Sequence, residues 1–230
     1  MNVLLTGASG FIGSHLARAL RAAEYVVIES RRDLDARTAA VQADFTRDLS
    51  AREWLPKLRG VDVVINAVGI LREHGNQTFE RIHKRAPQAL FAACVAAGVR
   101  RVIQISALGA DLGVTRYFVS KRAADDYLAT LPLDWTIVRP AMVFGPGGSS
   151  ARLFERLAHM PVVPLPVVPL VPEPTPLPTP LPIPADSAPA AGLLPIDVVA
   201  PLRMQVSRSA PVKLPHTRDG SFARPVPTVF

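Results

Sequence analysis

A chain of 230 residues with one cysteine is long enough for a core of ordinary size, has no internal disulfide framework, and points to a reducing compartment. Its net charge of +7 comes from 26 Lys and Arg against 19 Asp and Glu, scattered without an aromatic-interleaved basic patch, so nucleic acid is not expected as a partner. Of its 23 prolines, 18 fall in residues 161–230, too dense for regular helix or strand because each removes a backbone donor and fixes φ. The expected organisation is therefore a globular domain over 1–160 and a Pro-rich, extended or disordered tail over 161–230.

The first expected strand is NVLLT (2–6), preceded by no basic leader of the kind a signal peptide carries. TGASGFIGSHL follows, with Gly7, Gly10 and Gly13 at G-x-x-G-x-x-G spacing between that strand and a helix over 11–23. Gly7 allows a sharp turn, Gly10 lets backbone approach a pyrophosphate, and Gly13 lets the helix pack close to the sheet, with the helix N-terminus facing the negative charge. The second strand, YVVIES (25–30), ends in Glu29, Ser30, Arg31 and Arg32. An acidic residue at this place holds a ribose 2′-hydroxyl and an arginine suits a 2′-phosphate. Arg31, with Arg32 or Ser30 beside it, favours NADP(H), whereas a shift of two residues gives Glu29 the ribose and makes an NAD(H) site.

Further strands are expected at 40–44, 61–66, 101–106 and 134–139, with helices near 49–58, 78–97, 117–130 and 150–159. Strands with almost no polar alternation are buried on both faces. Their alternation with helices predicts an α/β fold, a Rossmann-like doubly wound parallel sheet with helices on both faces, followed by the Pro-rich irregular tail. In such sheets ligands sit beyond the carboxyl ends of the strands. No apolar stretch of about 18 residues escapes a proline or a charge, so no membrane span is expected. Cys94, in FAACVAAG, reads as a small buried helix residue. The five histidines, His15 and His83 among them, are scattered and read as structural, with no metal site. Residues 117–121, YFVSK, put a tyrosine and a lysine at helical spacing, which alone is an ordinary surface pattern.

In sequence order the chain supplies TGASGFIG, ADFTRD (43–48), INAVG (65–69), SALGA (106–110), YFVSK and RPAMVFGPGG (139–148). Together these resemble the short-chain dehydrogenase/reductase superfamily in the extended or atypical branch that also holds nucleotide-sugar epimerases. NAVGILRE, TFERIHKRAPQALFAACVAAGV and ISALGAD are more narrowly similar to the nucleotide-binding accessory subunit of respiratory complex I and its bacterial relatives. The resemblance covers residues 1 to about 166.

It implies that Tyr117 is the general acid/base at a substrate carbonyl or hydroxyl, and that Lys121 lowers the Tyr117 pKa and bonds the nicotinamide ribose. Ser106 would hold the substrate oxygen. Thr6, Ser9, Phe11 and Ile12 would join the glycines at the cofactor, as would Asn66, Ala67, Val68 and Gly69. Asp44 and Phe45 would lie by the adenine, and Arg139 and Pro140 would open the loop at the nicotinamide end. Thr115 and Tyr127 are rival hydroxyls without a lysine four residues later.

The family's complex I subunit holds its nucleotide as a structural element, so Tyr117 and Lys121 can equally serve only the ribose. In the family the segment after PVVPLP continues into a last sheet strand and a small substrate domain carrying a stretch like PIHVDDL. Here only LLPIDVVA (193–200) resembles that stretch. The expected function is an NAD(P)H-binding oxidoreductase or epimerase on an unknown small-molecule substrate, in the cytoplasm or peripheral to a membrane complex. The alternatives are a non-catalytic NADPH-binding assembly or stability subunit with a protein partner, and a truncated or frame-shifted inactive product.

Overall fold

The computed structural model describes residues 1–33, 40–143, 145 and 204–209. The architecture below is that of the unit holding the described residues of 1–143 and 204–209. In chain order it runs β1 (Asn2–Thr6), α1 (Phe11–Ala22), β2 (Val26–Arg31), β3 (Ala40–Gln42), α2 (Ala51–Trp54), β4 (Val63–Asn66), α3 (Ala86–Ala97), β5 (Arg101–Ile105), α4 (Arg116–Ala129), β6 (Asp134–Pro140) and β7 (Met204–Arg208).

The strands form one sheet in the order β3-β2-β1-β4-β5-β6-β7. Every pairing from β3 through β6 is parallel, and β7 alone runs antiparallel, against β6. Because the chain leaves β1 toward β2 and later returns to β4 on its other side, the β1/β4 boundary is the switch point at which doubly wound sheets open a crevice.

Alternation along β1 and β4 divides the apolar core. Val3, Leu5, Val63 and Ile65 meet Ala17 of α1 on one face. Leu4 and Val64 face the larger cluster built from Trp54, Leu90, Phe91 and Leu128 of α2, α3 and α4 on the other. Both faces are thus dry, which explains strands read as unbroken apolar runs. Cys94 is fully buried in α3, and burial pushes its thiol up to about 12, so it is an inert packing residue.

Prolines shape the helices. The expected helix over 49–58 starts from a Ser50–Glu53 capping box but becomes a 3-10 turn at Leu55–Leu58, where Pro56 supplies no donor. The one expected over 78–97 begins as a π-helical segment, Glu80–Arg85, just ahead of Pro87, before α3 takes over and ends at left-handed Gly98. Strand β7 was not expected: residues 204–208, within the tail, return to the sheet edge. The helix expected near 150–159 and most of the tail lie outside the described residues.

The α1 packing gives a direct test. A Cβ on Gly13 would lie 2.7 Å from the Gly7 carbonyl carbon and 2.9 Å from Ala8 Cα, all backbone atoms. Gly13→Ala is expected to lower unfolding stability by about 3 kcal/mol, measured by urea denaturation. Gly98→Ala, with open space around its Cβ, is expected to cost only about 1 kcal/mol, from its positive φ.

Candidate functional site

Since β1 to β6 are parallel, the loops that follow them share one edge of the sheet, and nearly all the residues singled out from sequence lie there. At its centre Gly7 adopts φ 73° and its Cβ position lies 2.8 Å from the Ala67 carbonyl, so a side chain here would strike the β4 loop. Gly10 caps α1 in an extended conformation with no side-chain cap, and the first helical turn carries no acid. Ser9 and Gly10 are exposed and Phe11 and Ile12 half-buried, so the free N–H groups of this turn open onto solvent. A pyrophosphate fits such a cradle: there is room where a Cβ would intrude, there are unpaired donors, and the helix end is positive.

Thr6 and Asn66 form the floor rather than the lining. The Thr6 hydroxyl donates to Asn66 Oδ1 at 2.6 Å, and Asn66 Nδ2 donates to Gln104 Oε1 at 2.7 Å, a chain of fully or nearly fully buried groups across β1, β4 and β5. Asn66 is fully buried and so lies beneath the site rather than in it. Val68 and Ala67 are half-buried, and Gly69 is exposed above them.

At the end of β2, Glu29 is buried and held by two guanidiniums, Arg21 at 2.6 Å and Arg31 at 2.7 Å. Burial works to raise its pKa, but the two arginines outweigh that and hold the carboxyl below its ordinary value. The Arg21 and Arg31 side chains remain 50% and 38% exposed. Arg32 is exposed, while Ser30 is buried. Asp44 accepts from the Thr46 N–H and hydroxyl, both at 2.8 Å, which shapes its loop, and Phe45 is buried edge-on to Trp54 at 5.3 Å. Pro140, last in β6, accepts from the Leu108 N–H at 2.9 Å and ties the loops after β5 and β6.

Helix α4 brings up Tyr117 and Lys121. Thr115 is its N-cap, accepting from the Phe118 N–H, and so it serves the helix rather than the site. Tyr127 lies half-buried against the main core. Tyr117 is half-buried among Phe79, His83 and Phe118, and burial pushes its phenol up. Lys121 is 4% exposed, and its ammonium donates to the Ile105 carbonyl at 3.2 Å and reaches within 3.1 Å of the Gly69 Cβ position. Burial pulls it down to about 8 against a counter-pull from Asp125. The Ser106 hydroxyl is buried without a hydrogen bond of good geometry among the described residues, and it favours the charged form of the Asp125 carboxyl.

His83, read from sequence only as structural, is the group this reading missed. It is 1% exposed, stacks on Phe79 at 5.2 Å and meets Tyr117 edge-on at 5.3 Å. The Ser120 hydroxyl donates to the Tyr117 carbonyl, so it accepts from His83 Nδ1, while His83 Nε2 accepts the Ile70 N–H at 3.0 Å. That network defines a neutral imidazole protonated on Nδ1, which pins the β4 loop to α4. Burial, joined by the Lys121 charge, pulls its pKa down to about 3. Nothing in the spacing of a histidine 34 residues before the tyrosine signals this contact.

Between pH 6.5 and about 3 the unfolded chain holds a proton on His83 that the folded chain lacks, so stability falls as pH drops through that window. The expected loss is about 1.4 kcal/mol per pH unit from this group. His83→Gln should remove about one proton from the acid slope of the unfolding free energy.

Among the described residues no helix is long and apolar enough to cross a membrane, and no group of three His, Cys, Asp or Glu could hold a metal ion.

A family model described as NAD(P)H-binding matches residues 7–157. A ceramide reductase of Caulobacter vibrioides is 30% identical over 71% of this chain and 53% of that protein. The mitochondrial NADH dehydrogenase 1 alpha subcomplex subunit 9 of Rattus norvegicus is 29% identical over 69% of this chain and 45% of its own length. The chain thus spans about half the length of these curated relatives. The Bordetella bronchiseptica enzyme WbmH, solved in complex with NAD+, superposes with a TM-score of 0.56 over 68% of this chain and 62% of that one, at 21% identity. That likeness shows the fold.

Proposed function

From a chain that belongs to the NAD(P)H-binding family, we propose an NADPH-dependent oxidoreductase or epimerase of the short-chain dehydrogenase type, acting on a carbonyl or hydroxyl of a small-molecule substrate. One observation carries this reading: Lys121, beside Gly69, and Tyr117 stand one helical turn apart, on the same sheet edge as the Gly7–Ile12 cradle. The resemblance to a ceramide reductase supports the redox assignment.

The dinucleotide would be held by the backbone of Gly7, Ser9, Gly10, Phe11 and Ile12 at its pyrophosphate, by Ala67, Val68 and Gly69 along its length, and by Lys121 and Pro140 at its nicotinamide end, with Asp44 and Phe45 on the adenine side. When bound, it supplies the hydride chemistry. NADP(H) over NAD(H) is supported by the end of β2. The Glu29 carboxylate is buried and already held by Arg21 and Arg31 on both oxygens, so a ribose hydroxyl would compete with two guanidiniums for it. The trio carries a net positive charge whose outward N–H groups suit a 2′-phosphate.

Tyr117 would move the proton at the substrate oxygen. Burial favours its neutral form, so in the free protein it is a proton donor, and loss of its proton depends on the Lys121 ammonium coming into range. Ser106 joins them at the substrate oxygen only if the turn after β5 opens, since its hydroxyl is buried.

A second reading, a non-catalytic subunit that holds NADPH as part of its structure, is favoured by the likeness to a respiratory NADH dehydrogenase subunit and by the upward shift at Tyr117.

Titration of the protein with NADPH and NADH, followed by nicotinamide fluorescence, tests the cofactor assignment. Arg31→Ala should weaken NADPH about tenfold or more with NADH unchanged. Equal weakening of both would contradict a 2′-phosphate contact. Tyr117→Phe should keep NADPH affinity and lower any carbonyl reduction by about a hundredfold or more. Absence of turnover in both forms, with NADPH raising the melting temperature, selects the subunit.

A further inference from the structure

Behind Lys121 lies a buried charged cluster that neither reading employs. Asp125, one turn further along α4, is 1% exposed. Its Oδ2 accepts from Arg139 Nε of β6 at 3.1 Å, and Arg139 Nη1 donates to Ser207 Oγ of β7 at 2.9 Å. The other carboxylate oxygen, Oδ1, and Ser106 Oγ are both buried without a hydrogen bond of good geometry, yet the Ser106 hydroxyl favours the charged form of this carboxylate. Asp125 and Arg139 thus form an ion pair inside the sheet, with the Ser106 hydroxyl beside it. A carboxylate this deeply buried stays charged only among groups that use its charge.

Besides Arg139 and Ser106, Lys121 is a group that can use it. Residues four apart on a helix lie about 6 Å from each other on one face, and both of these are enclosed. The groups facing Lys121 are Tyr117 and Asp125 from α4, neutral His83 from the segment before α3, the Ile105 carbonyl from β5, and Arg139 of β6 acting through Asp125. Of these Asp125 carries the negative charge. It favours the Lys121 ammonium against burial, and Lys121 in turn favours the Asp125 carboxylate, together with Ser106 and Arg139, although burial outweighs the three and leaves the Asp125 pKa above its ordinary value.

We propose that Asp125 is a positioning residue whose carboxylate keeps Lys121 an ammonium inside the sheet edge, and that Arg139, steadied by Ser207 of β7, holds that carboxylate in place. A five-residue strand from the tail thereby reaches the Tyr117–Lys121 pair through two side chains. The assignment rests on the reading of Lys121 given under the proposed function.

The test is a side-chain NMR titration of the full chain without cofactor, following Lys121 through its ε-carbon and Asp125 through its γ-carbon. In the unaltered protein both groups should be ionised at pH 7. Asp125→Asn should lower the Lys121 midpoint by about one pH unit or more, a tenfold change in its ionisation constant, and Asp125→Glu should restore most of it. Ser207→Ala should raise the Asp125 midpoint. A protonated Asp125 at pH 7 in the unaltered chain overturns the proposal and needs no variant to fold. So does an unchanged Lys121 midpoint in folded Asp125→Asn, and an unchanged Asp125 midpoint in Ser207→Ala removes β7 from the account. Because no cofactor is present, failure here leaves the NADPH reading standing, while a normal titration with no NADPH binding would contradict only that reading.

Discussion

The close approach of α1 to the turn after β1 is the constraint on which the site depends. With Gly13 packed on the backbone of Gly7 and Ala8, and Gly7 in turn against the Ala67 carbonyl, helix, first strand and β4 loop meet at a point where no side chain fits. That contact aims the N-terminus of α1 across the switch point of the sheet, and it places the β4 loop within reach of α4. Replacing any of these glycines by a larger residue would push apart the elements whose ends together form the cradle.

Around this point the fold keeps a set of polar side chains dry. Thr6, Asn66 and Gln104 satisfy one another across three strands, which holds the carboxyl ends of β1, β4 and β5 level. Lys121 is a different case. A lysine held near 8 against an ordinary 10.5 opposes folding by on the order of 3 kcal/mol at pH 7, and the cost is relieved only as pH rises from about 8 toward 10.5. A surface position would carry no such cost. Buried ionisable groups with shifted pKa values gather where chemistry or binding needs them, and here they gather on the edge where the chain can hold a dinucleotide.

Much of this was legible in the sequence, and the reason is local. β1 and the glycine turn are written within 13 consecutive residues, and strands dry on both faces leave runs of Val and Ile that no helix period explains. Tyr117 and Lys121 gain meaning from their place after β5. What was not legible depends on contacts between distant segments. His83 meets Ser120 across 37 residues, and Arg139 meets Ser207 across 68, so neither leaves a periodic trace. Strand β7 was hidden by its setting: MQVSR is short and half polar, and it lies in a tail whose prolines argued against any strand. Glu29 shows a subtler limit. As a letter beside Arg31 it competes for the ribose, while in the fold it serves as the anchor for two arginines.

Hydrogen–deuterium exchange of the full chain with and without NADPH tests most directly whether this edge is a dinucleotide site. Simultaneous added protection of residues 7–14, 67–70 and 117–121 is the predicted result, because one extended ligand would span the α1 N-terminus, the β4 loop and the start of α4. Protection confined to any one of these segments, or none at saturating NADPH, would contradict it.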